Sequence, residues 1–256
     1  MTVTVAGGVA TIVLAHPENR NALTPQLLNE LGDALAAVAA DDAVRVVVLT
    51  NEGPAFCAGA DLSGRTREEK ARYGLTDVFA AMLDSPKPVI GRIAGHCMGG
   101  GVGLAAACDL SIAADDVRIG FTEVRIGVAP AIISVVCLPK LRRADALELF
   151  LTGERIPAGR AAEVGLLTRA VPRHELDAAV DAVVGQILAG APGALAASKR
   201  LVFDVPGQDR VTAFAATERL SKELFASAEA QEGMAAFREK RTPPWAPEGQ
   251  DSPPAS

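Results

Sequence analysis

Apolar and polar positions follow a repeating order along the first half of the chain. A glycine pair at residues 7–8 divides the opening apolar run and predicts two strands joined by a tight turn. Thr24 is a typical helix N-cap with Pro25 at the first helical position, and leucines then recur at helical spacing to about residue 40. Further apolar runs predict strands at 44–50, 88–94, 109–114 and 117–121, with helices late in 63–84 and before residue 108. This order of strand, strand and helix predicts an α/β fold with parallel pairing.

The pattern changes to helices in the second half of the chain. Apolar residues at helical spacing predict helices at 144–151, 158–164, 175–189, 194–203, 211–225 and 228–240, with one short strand near 167–171. We therefore expect a core region at 1–195 and a helical C-terminal region at 196–256. The tail from residue 242 is rich in proline and is expected to be disordered.

Composition narrows the functional classes. The net charge of −6 and the low content of aromatic residues argue against a nucleic-acid partner. The four cysteines, at positions 57, 97, 108 and 137, form no Cys-x-x-Cys motif and have no histidine cluster beside them, so neither a metal site nor a disulfide framework is predicted. The opening residues fit a hairpin better than a signal peptide, and no apolar run suits a membrane span. We expect a cytoplasmic protein without a membrane partner.

Two glycine-rich loops, at 56–62 and 95–103, each follow a predicted strand. Glycine lets the backbone turn tightly and leaves N–H groups uncovered by side chains. Two such N–H groups aimed at one point form an oxyanion hole, which holds negative charge on a carbonyl oxygen. A lone acid, Glu123, follows the second loop by about twenty residues. The combination predicts activation of a carbonyl group together with proton transfer.

The second loop also fits a dinucleotide fingerprint. The stretch 101–106 matches G-x-G-x-x-A, and Glu123 lies near the spacing expected for a ribose ligand, so an NAD-dependent oxidoreductase is a second hypothesis. Residues 95–98 separate the strand from these glycines, however, and the predicted strand at 109–114 ends well before Glu123. A dinucleotide site also leaves the first loop unexplained, so carbonyl activation is the favoured interpretation.

Several stretches together resemble one family. Phe56-Cys-Ala-Gly-Ala-Asp-Leu62, Ala94-Gly-His-Cys-Met-Gly-Gly-Gly101, Ala107-Cys-Asp-Leu-Ser-Ile-Ala-Ala114 and Phe121-Thr-Glu-Val-Arg-Ile-Gly-Val-Ala-Pro130 are similar to segments of the crotonase (enoyl-CoA hydratase/isomerase) superfamily. So are 19–23 and 232–241, and the resemblance runs from about residue 3 to 245. It implies a spiral of ββα units, a helical C-terminal trimerisation region, and a homotrimer or dimer of trimers. The implied partner is an acyl-CoA substrate, with no cofactor beyond the CoA thioester.

The resemblance also implies roles for particular residues. The backbone N–H groups of Ala60 and Gly100 would form the oxyanion hole. A CoA groove would be lined by Asn21, Ala22, Leu23, Ala58, Ala60, Asp61 and Leu62. Phe237 and Lys240 match positions that reach the CoA of an adjacent subunit or active site, although a packed phenylalanine and a surface lysine are nearly as good an explanation.

Within the family, the number of acidic residues in the site distinguishes the possible reactions. Hydratases of the family carry two glutamates, of which the second matches Glu123, whereas Gly103 stands in the first position. A hydratase that adds water to a 2-enoyl-CoA with Glu123 alone is the favoured interpretation. A double-bond isomerase and an acyl-CoA hydrolase remain open, as does a CoA-binding protein without catalysis. Residues 63–84 are expected to line the acyl end, and the sequence leaves the acyl chain length open.

Overall fold

Strands dominate the first half of the molecule and helices the second, in a computed structural model that describes residues 1–62 and 71–247. In these residues the strands are β1 (Thr2–Ala6), β2 (Val9–Leu14), β3 (Val46–Asn51), β4 (Ala55–Cys57), β5 (Val89–Ile93), β6 (His96–Met98), β7 (Leu110–Ala114), β8 (Arg118–Gly120), β9 (Arg155–Pro157) and β10 (Arg169–Val171). The α-helices are α1 (Pro25–Ala40), α2 (Leu75–Asp84), α3 (Gly100–Ala107), α4 (Ala131–Cys137), α5 (Arg143–Thr152), α6 (Ala158–Glu163), α7 (Leu176–Leu188), α8 (Pro192–Asp204), α9 (Arg210–Ala226) and α10 (Ala228–Glu239).

The strands form two sheets. The larger has the order β1-β2-β3-β5-β7-β10 and the smaller has the order β4-β6-β8-β9. Neighbouring strands are parallel in both sheets except for the hairpin β1–β2 and the pair β8–β9. Three times in succession the chain gives one strand to the larger sheet, one to the smaller sheet and then a helix, as in β5, β6 and α3. The predicted α/β fold with parallel pairing is confirmed.

Helix α1 begins and packs as the sequence indicates. The Thr24 side-chain oxygen accepts a hydrogen bond from the Leu27 N–H at 3.1 Å, and Pro25 occupies the first turn. Leu27, Leu31 and other apolar residues one or two turns further on are buried against the sheet. All six residues of β3 are buried as well, which explains why this strand is a continuous apolar run rather than an alternating one.

Three strands and one α-helix of the first 160 residues were not anticipated. Strands β4, β6 and β9 have three residues each, too few for an alternating pattern to show, and β6 lies inside the predicted glycine loop. Helix α4 has seven residues rich in valine and isoleucine, which favour strands in short runs. Where elements were predicted, their observed bounds lie within about two residues of the expected ones.

The C-terminal helices are fastened to the sheets by polar contacts. Lys199 on α8 lies 2.9 Å from the Asp109 carboxylate and donates to the Met82 carbonyl at 2.8 Å. The Arg45 guanidinium, at the amino end of β3, donates to the carbonyl oxygens of Gly190 and Trp245. The division expected at residue 195 stays a prediction, and α8 spans both sides of it.

Long apolar helices are absent from the described residues. Within residues 1–62 and 71–247, no single helix has the length and apolar character needed to cross a membrane. One pair, Arg173–Leu188 with Pro192–Asp204, meets the length and composition criteria only when taken together, and it is bent by 109° at the break.

The buried pair between Lys199 and Asp109 generates a stability prediction. Replacing Lys199 with methionine removes the cation from a carboxylate whose pKa is already raised by burial, and it should lower the free energy of unfolding by about 3–5 kcal/mol. Chemical denaturation measures the change. Lys222→Met is the matched control, because the Lys222 side chain is 74% exposed and its pair with Glu218 lies on the surface. Equal effects of the two substitutions would contradict the assigned role of the buried pair.

Candidate active site

Three strand ends meet at one edge of the smaller sheet. Strands β4, β6 and β8 are adjacent and parallel, with Cys57 opposite Cys97 and Cys97 opposite Ile119. Their carboxyl ends therefore lie side by side. Gly59 follows β4, Gly99 follows β6, and Glu123 follows β8 by three residues. Ligands of parallel sheets bind at the carboxyl ends of strands, so the topology alone brings the two predicted loops and the predicted acid to one place.

The first loop touches the second through Gly59. This residue has φ of +87°, a conformation that favours glycine, and its Cα faces the backbone of the second loop. A Cβ at Gly59 would lie 2.8 Å from the Met98 carbonyl oxygen and 3.2 Å from the Gly100 nitrogen. The Gly59 carbonyl accepts a hydrogen bond from Leu23 N–H at 2.8 Å, and Ala60 forms a parallel bridge with Leu23.

The second loop turns sharply into α3. Gly99 has φ of +51° and donates its N–H to the Gly120 carbonyl at 3.0 Å, so the loop is tied to the end of β8. Gly100 is the first residue of α3. The first N–H groups of a helix have no partner within it and carry the positive end of the helix dipole. Gly100 therefore presents a donor suited to an anionic oxygen.

Glu123 lies directly against this turn. It belongs to the 3-10 helix Thr122–Ile126, and its Oε1 would be 3.1 Å from a Cβ placed on Gly99. Its Oε2 is buried and has no hydrogen-bond partner in the part of the chain that the structure describes. Burial raises the pKa of this carboxyl group, opposed by a hydrogen bond from its own backbone N–H. A carboxyl group of this kind is suited to accept and return a proton.

The later glycines of the second loop permit close packing. A Cβ at Gly101 would overlap the Cys57 backbone, and one at Gly103 would lie 2.5 Å from Ile133 Cγ2 and 2.6 Å from Phe79 Cζ. Both glycines of the dinucleotide-like fingerprint thus have a steric reason to be glycine. Glu123 follows β8 of the smaller sheet, not β7, the strand that comes directly after α3. The arrangement gives no support to the dinucleotide hypothesis.

Two apolar side chains occupy the space beside Gly103, the position at which the sequence lacks a second glutamate. Phe79 and Ile133 are 4% and 3% exposed and fill the space beside Gly103 with hydrocarbon. Ile133 lies on α4, which the sequence analysis missed. The sequence indicated this packing only indirectly, through Gly103 itself. A glycine in a buried helix leaves space that side chains from other elements must fill.

Asn21 has a structural part in the expected CoA groove. It is fully buried with φ of +53°, and its side chain accepts from His16 N–H and donates to the carbonyl oxygens of Glu52 and Ala55. These bonds fix the 19–23 segment against the start of β4. Since the Asn21 amide is committed in this way, Asn21 itself has only its backbone left to offer a ligand. Leu62, at the far end of the first loop, is 71% exposed.

Phe237 and Lys240 lie apart from the loops of their own chain. Both are exposed, Phe237 on α10 and Lys240 at its C-cap. Helix α10 packs on α9, and its Glu229 carboxylate accepts from the Gly193 and Ala194 N–H groups at the start of α8. This region is held at the amino end of β3 through Arg45, while the loops extend from the carboxyl ends of β4 and β6. The structure therefore does not bring these two residues to Glu123 within one chain.

The cysteines near the site are buried thiols. Cys57, two residues before Gly59, accepts a hydrogen bond from the Gly59 N–H at 3.4 Å. Burial raises the pKa of Cys57 to about 12, and it raises the pKa of Cys97 well above its ordinary value. All four cysteines are free and buried.

Comparisons with known proteins show the family of the chain. The family model for enoyl-CoA hydratase/isomerase matches residues 4–248. A candidate enoyl-CoA hydratase of Thermus thermophilus is 35% identical over 245 residues, which are 93% of this chain and 97% of that protein. The crystal structure of an enoyl-CoA hydratase from Mycobacterium smegmatis has a TM-score of 0.87 at 33% identity and covers 95% of this chain and 98% of its own. That of human enoyl-CoA hydratase domain-containing protein 3 has a TM-score of 0.89 at 29% identity, with coverage of 95% and 99%.

The family match covers residues 4–248, a range that includes both glycine loops and Glu123, and the likeness in sequence and in fold covers nearly the whole chain. The chain is thus an enzyme of the enoyl-CoA hydratase/isomerase family, within the crotonase superfamily, whose members act on acyl-CoA substrates.

Proposed function

We propose that this enzyme adds water to a 2-enoyl-CoA, with Glu123 as its single acid and base. The observation that carries the proposal is the buried, unpartnered Oε2 of Glu123 beside the turn into α3. A buried carboxylate oxygen without a partner is costly to keep, and such groups concentrate at functional sites. A substrate or water in the site would supply the missing partner.

The reaction needs two proton transfers and one site for negative charge. The thioester oxygen accepts hydrogen bonds from the N–H groups of Ala60 and Gly100. Glu123 takes a proton from water as the water oxygen bonds to the β-carbon, and the electron pair of the double bond moves toward the thioester to form an enolate. The enolate then takes the proton from Glu123 at its α-carbon. Water is added overall and the carboxylate is regenerated, so no cofactor beyond the CoA thioester is required.

Double-bond isomerisation is the second candidate. The names of the relatives favour hydration, since both the Thermus thermophilus and the Mycobacterium smegmatis proteins are described as enoyl-CoA hydratases. The hydrocarbon of Phe79 and Ile133 beside Gly103 favours isomerisation, because that reaction needs one shuttling acid and no water. Both reactions use the same oxyanion hole and the same Glu123.

The CoA moiety is assigned to the groove between the 19–23 segment and the first loop. The residues assigned to it are Asn21, Ala22, Leu23, Ala58, Ala60, Asp61 and Leu62. The hydrogen bond from Leu23 N–H to the Gly59 carbonyl and the bridge to Ala60 hold the two walls together. Asn21 contributes to this groove by positioning its backbone.

The C-terminal helices are assigned to contacts between copies of the chain. Five apolar side chains on or beside α8 and α9 are at least half exposed: Val202, Phe203, Val211, Phe214 and Phe225. Covering them in a trimer, or a dimer of trimers, would remove this apolar surface from water. Phe237 and Lys240, which are remote from Glu123 in their own chain, would then face the CoA of a neighbouring copy. The repeated order of strand, strand and helix also supports the spiral of ββα units.

Replacing Glu123 with glutamine should abolish most turnover. Glutamine keeps the size of the side chain but cannot exchange the proton, so the rate should fall about 10²- to 10⁴-fold while binding of the CoA ester changes little. Mass-resolved product analysis with 2-enoyl- and 3-enoyl-CoA esters measures the rate and identifies the reaction. Gain of one water by the 2-enoyl esters supports hydration, movement of the double bond without added water supports isomerisation, and free CoA indicates hydrolysis.

The control for that substitution is Glu175→Gln, which changes an exposed glutamate in another 3-10 helix and should leave turnover unchanged. Full activity of Glu123→Gln would rule out the proposed mechanism. Binding of esters without any product from the wild-type protein would also contradict the proposed reaction.

The raised pKa of Glu123 predicts the pH dependence of the reaction. The carboxylate must be deprotonated to accept a proton from water, so kcat/KM should fall as the pH drops through the raised pKa. The midpoint of this acid limb should lie above the value of about 4.3 that is usual for glutamate. A pH–rate profile of the free enzyme measures it, and a midpoint at or below the usual value would contradict the assignment.

Stability should show the opposite dependence. Because the pKa of Glu123 is raised in the folded state, folding favours the protonated carboxyl group. The stabilisation that comes from this protonation is present at low pH and is lost as the pH rises through the raised pKa. Glu123→Gln should consequently be no less stable than the wild type at pH 7.

The assembly prediction concerns Phe214, whose side chain is 69% exposed. Phe214→Glu places a charge on the proposed contact and should convert the trimer or hexamer into smaller species, measured as molar mass by light scattering. Lys222→Glu changes an exposed polar residue on the same helix and serves as the control. A monomeric wild-type protein, or an unchanged mass for Phe214→Glu, would contradict the assembly.

A further inference from the structure

The face of α3 beyond its first turn is closed by two apolar side chains. Phe79 reaches it from α2 and Ile133 from α4, and their terminal carbons would lie 2.6 and 2.5 Å from a Cβ on Gly103. Both side chains are almost completely removed from solvent. We call this pair, Phe79 and Ile133, the apolar plug.

The apolar plug lies one helical turn from the reacting groups. Residues three and four apart share a helix face, so Gly103 lies on the same face as Gly99 and Gly100, about 5.4 Å along the axis. The Glu123 carboxylate contacts the position of Gly99, and the Gly100 N–H points from the start of the helix. The plug therefore borders the space in which the α- and β-carbons of a substrate would be held.

The two ends of this face are lined differently. At Gly100 the nearest side chain is that of Leu23, from the segment assigned to the CoA groove. At Gly103 the nearest side chains are those of the plug. An acyl group whose thioester oxygen lies at Gly100 and whose CoA extends past Leu23 would continue along this face toward the plug.

We propose that Phe79 and Ile133 determine acyl-chain specificity by closing the acyl end of the site, so that the enzyme accepts short acyl groups and rejects long ones. This inference rests on the proposed CoA-ester function. The plug is suited to discriminate between short and long acyl chains. Its two side chains come from different helices and pack against α3, so a longer chain could enter only by displacing them.

The test uses saturated acyl-CoA esters as probes, because their binding can be measured whether or not the enzyme turns them over. Dissociation constants for butanoyl-, hexanoyl-, octanoyl- and decanoyl-CoA are determined by calorimetry for the wild type, Phe79→Leu and Ile133→Ala. The wild type should bind butanoyl-CoA better than decanoyl-CoA. Each variant should improve the affinity for the longer esters relative to butanoyl-CoA by at least about tenfold, the scale of discrimination by a methylene group in an apolar pocket.

Met82→Ala is the matched control. Met82 lies one turn further along α2, is buried like Phe79, and does not supply any of the three atoms nearest to the Gly103 position. It should leave the dependence of affinity on chain length unchanged, even if it lowers stability. The same panel of 2-enoyl esters, measured as kcat/KM, should shift in parallel with binding.

The outcomes separate this inference from the function on which it rests. Binding of short esters by the wild type, with the same chain-length dependence in Phe79→Leu and Ile133→Ala, would overturn the role of the plug and leave the proposed function standing. Tight binding of decanoyl-CoA by the wild type would also overturn it. Failure of every ester to bind would overturn both.

Discussion

The site depends on the register of three short parallel strands. Because Cys57 of β4 is opposite Cys97 of β6, which is in turn opposite Ile119 of β8, the three strands end at nearly the same height. Each chain segment then leaves the sheet on the same side. A slip of one residue in any pair would reverse the faces of that strand and move Gly59, Gly99 or Glu123 away from the others. These three-residue strands are held in register by the larger sheet, whose buried strands β3, β5 and β7 immediately precede them along the chain.

The site combines tight glycine turns with a carboxyl group whose burial is unfavourable in isolation. Gly59 and Gly99 have positive φ, which glycine adopts readily, and the Glu123 carboxylate is buried without a complete set of partners. Such a carboxylate persists where the surrounding structure holds it in place. Here the surroundings are the buried helix α3, packed between α2, α4 and β4 through small residues, and the hydrogen bond from Gly99 N–H to the Gly120 carbonyl. The stability of the core allows the loops to hold donors and an acid in place before a substrate arrives.

Most of the fold and the centre of the candidate site could be predicted from local features of the sequence. The cap at Thr24 and the leucine spacing after it predicted α1 because both act within one or two turns of the chain. The glycine loops and Glu123 were predicted because each departs from its surroundings in residue type. The contact of Phe79 and Ile133 with Gly103 could not be predicted in this way, since it joins three helices and appears only once they pack. Strands β4 and β6 were missed because three residues show no period, although they set the register of the site.

The buried state of Cys57 has a consequence for chemical compatibility. An enoyl thioester is an electrophile at its β-carbon, and a thiolate near it would add to the double bond and leave the protein alkylated by its own substrate. The thiolate is the reactive form of cysteine, and burial keeps the pKa of Cys57 at about 12, so almost none is present at neutral pH. The sulfur is also enclosed behind the Gly59 turn, whose N–H points toward it. With a 2-enoyl-CoA as the proposed substrate, the same close packing that builds the loop would keep this soft nucleophile unreactive toward the alkene.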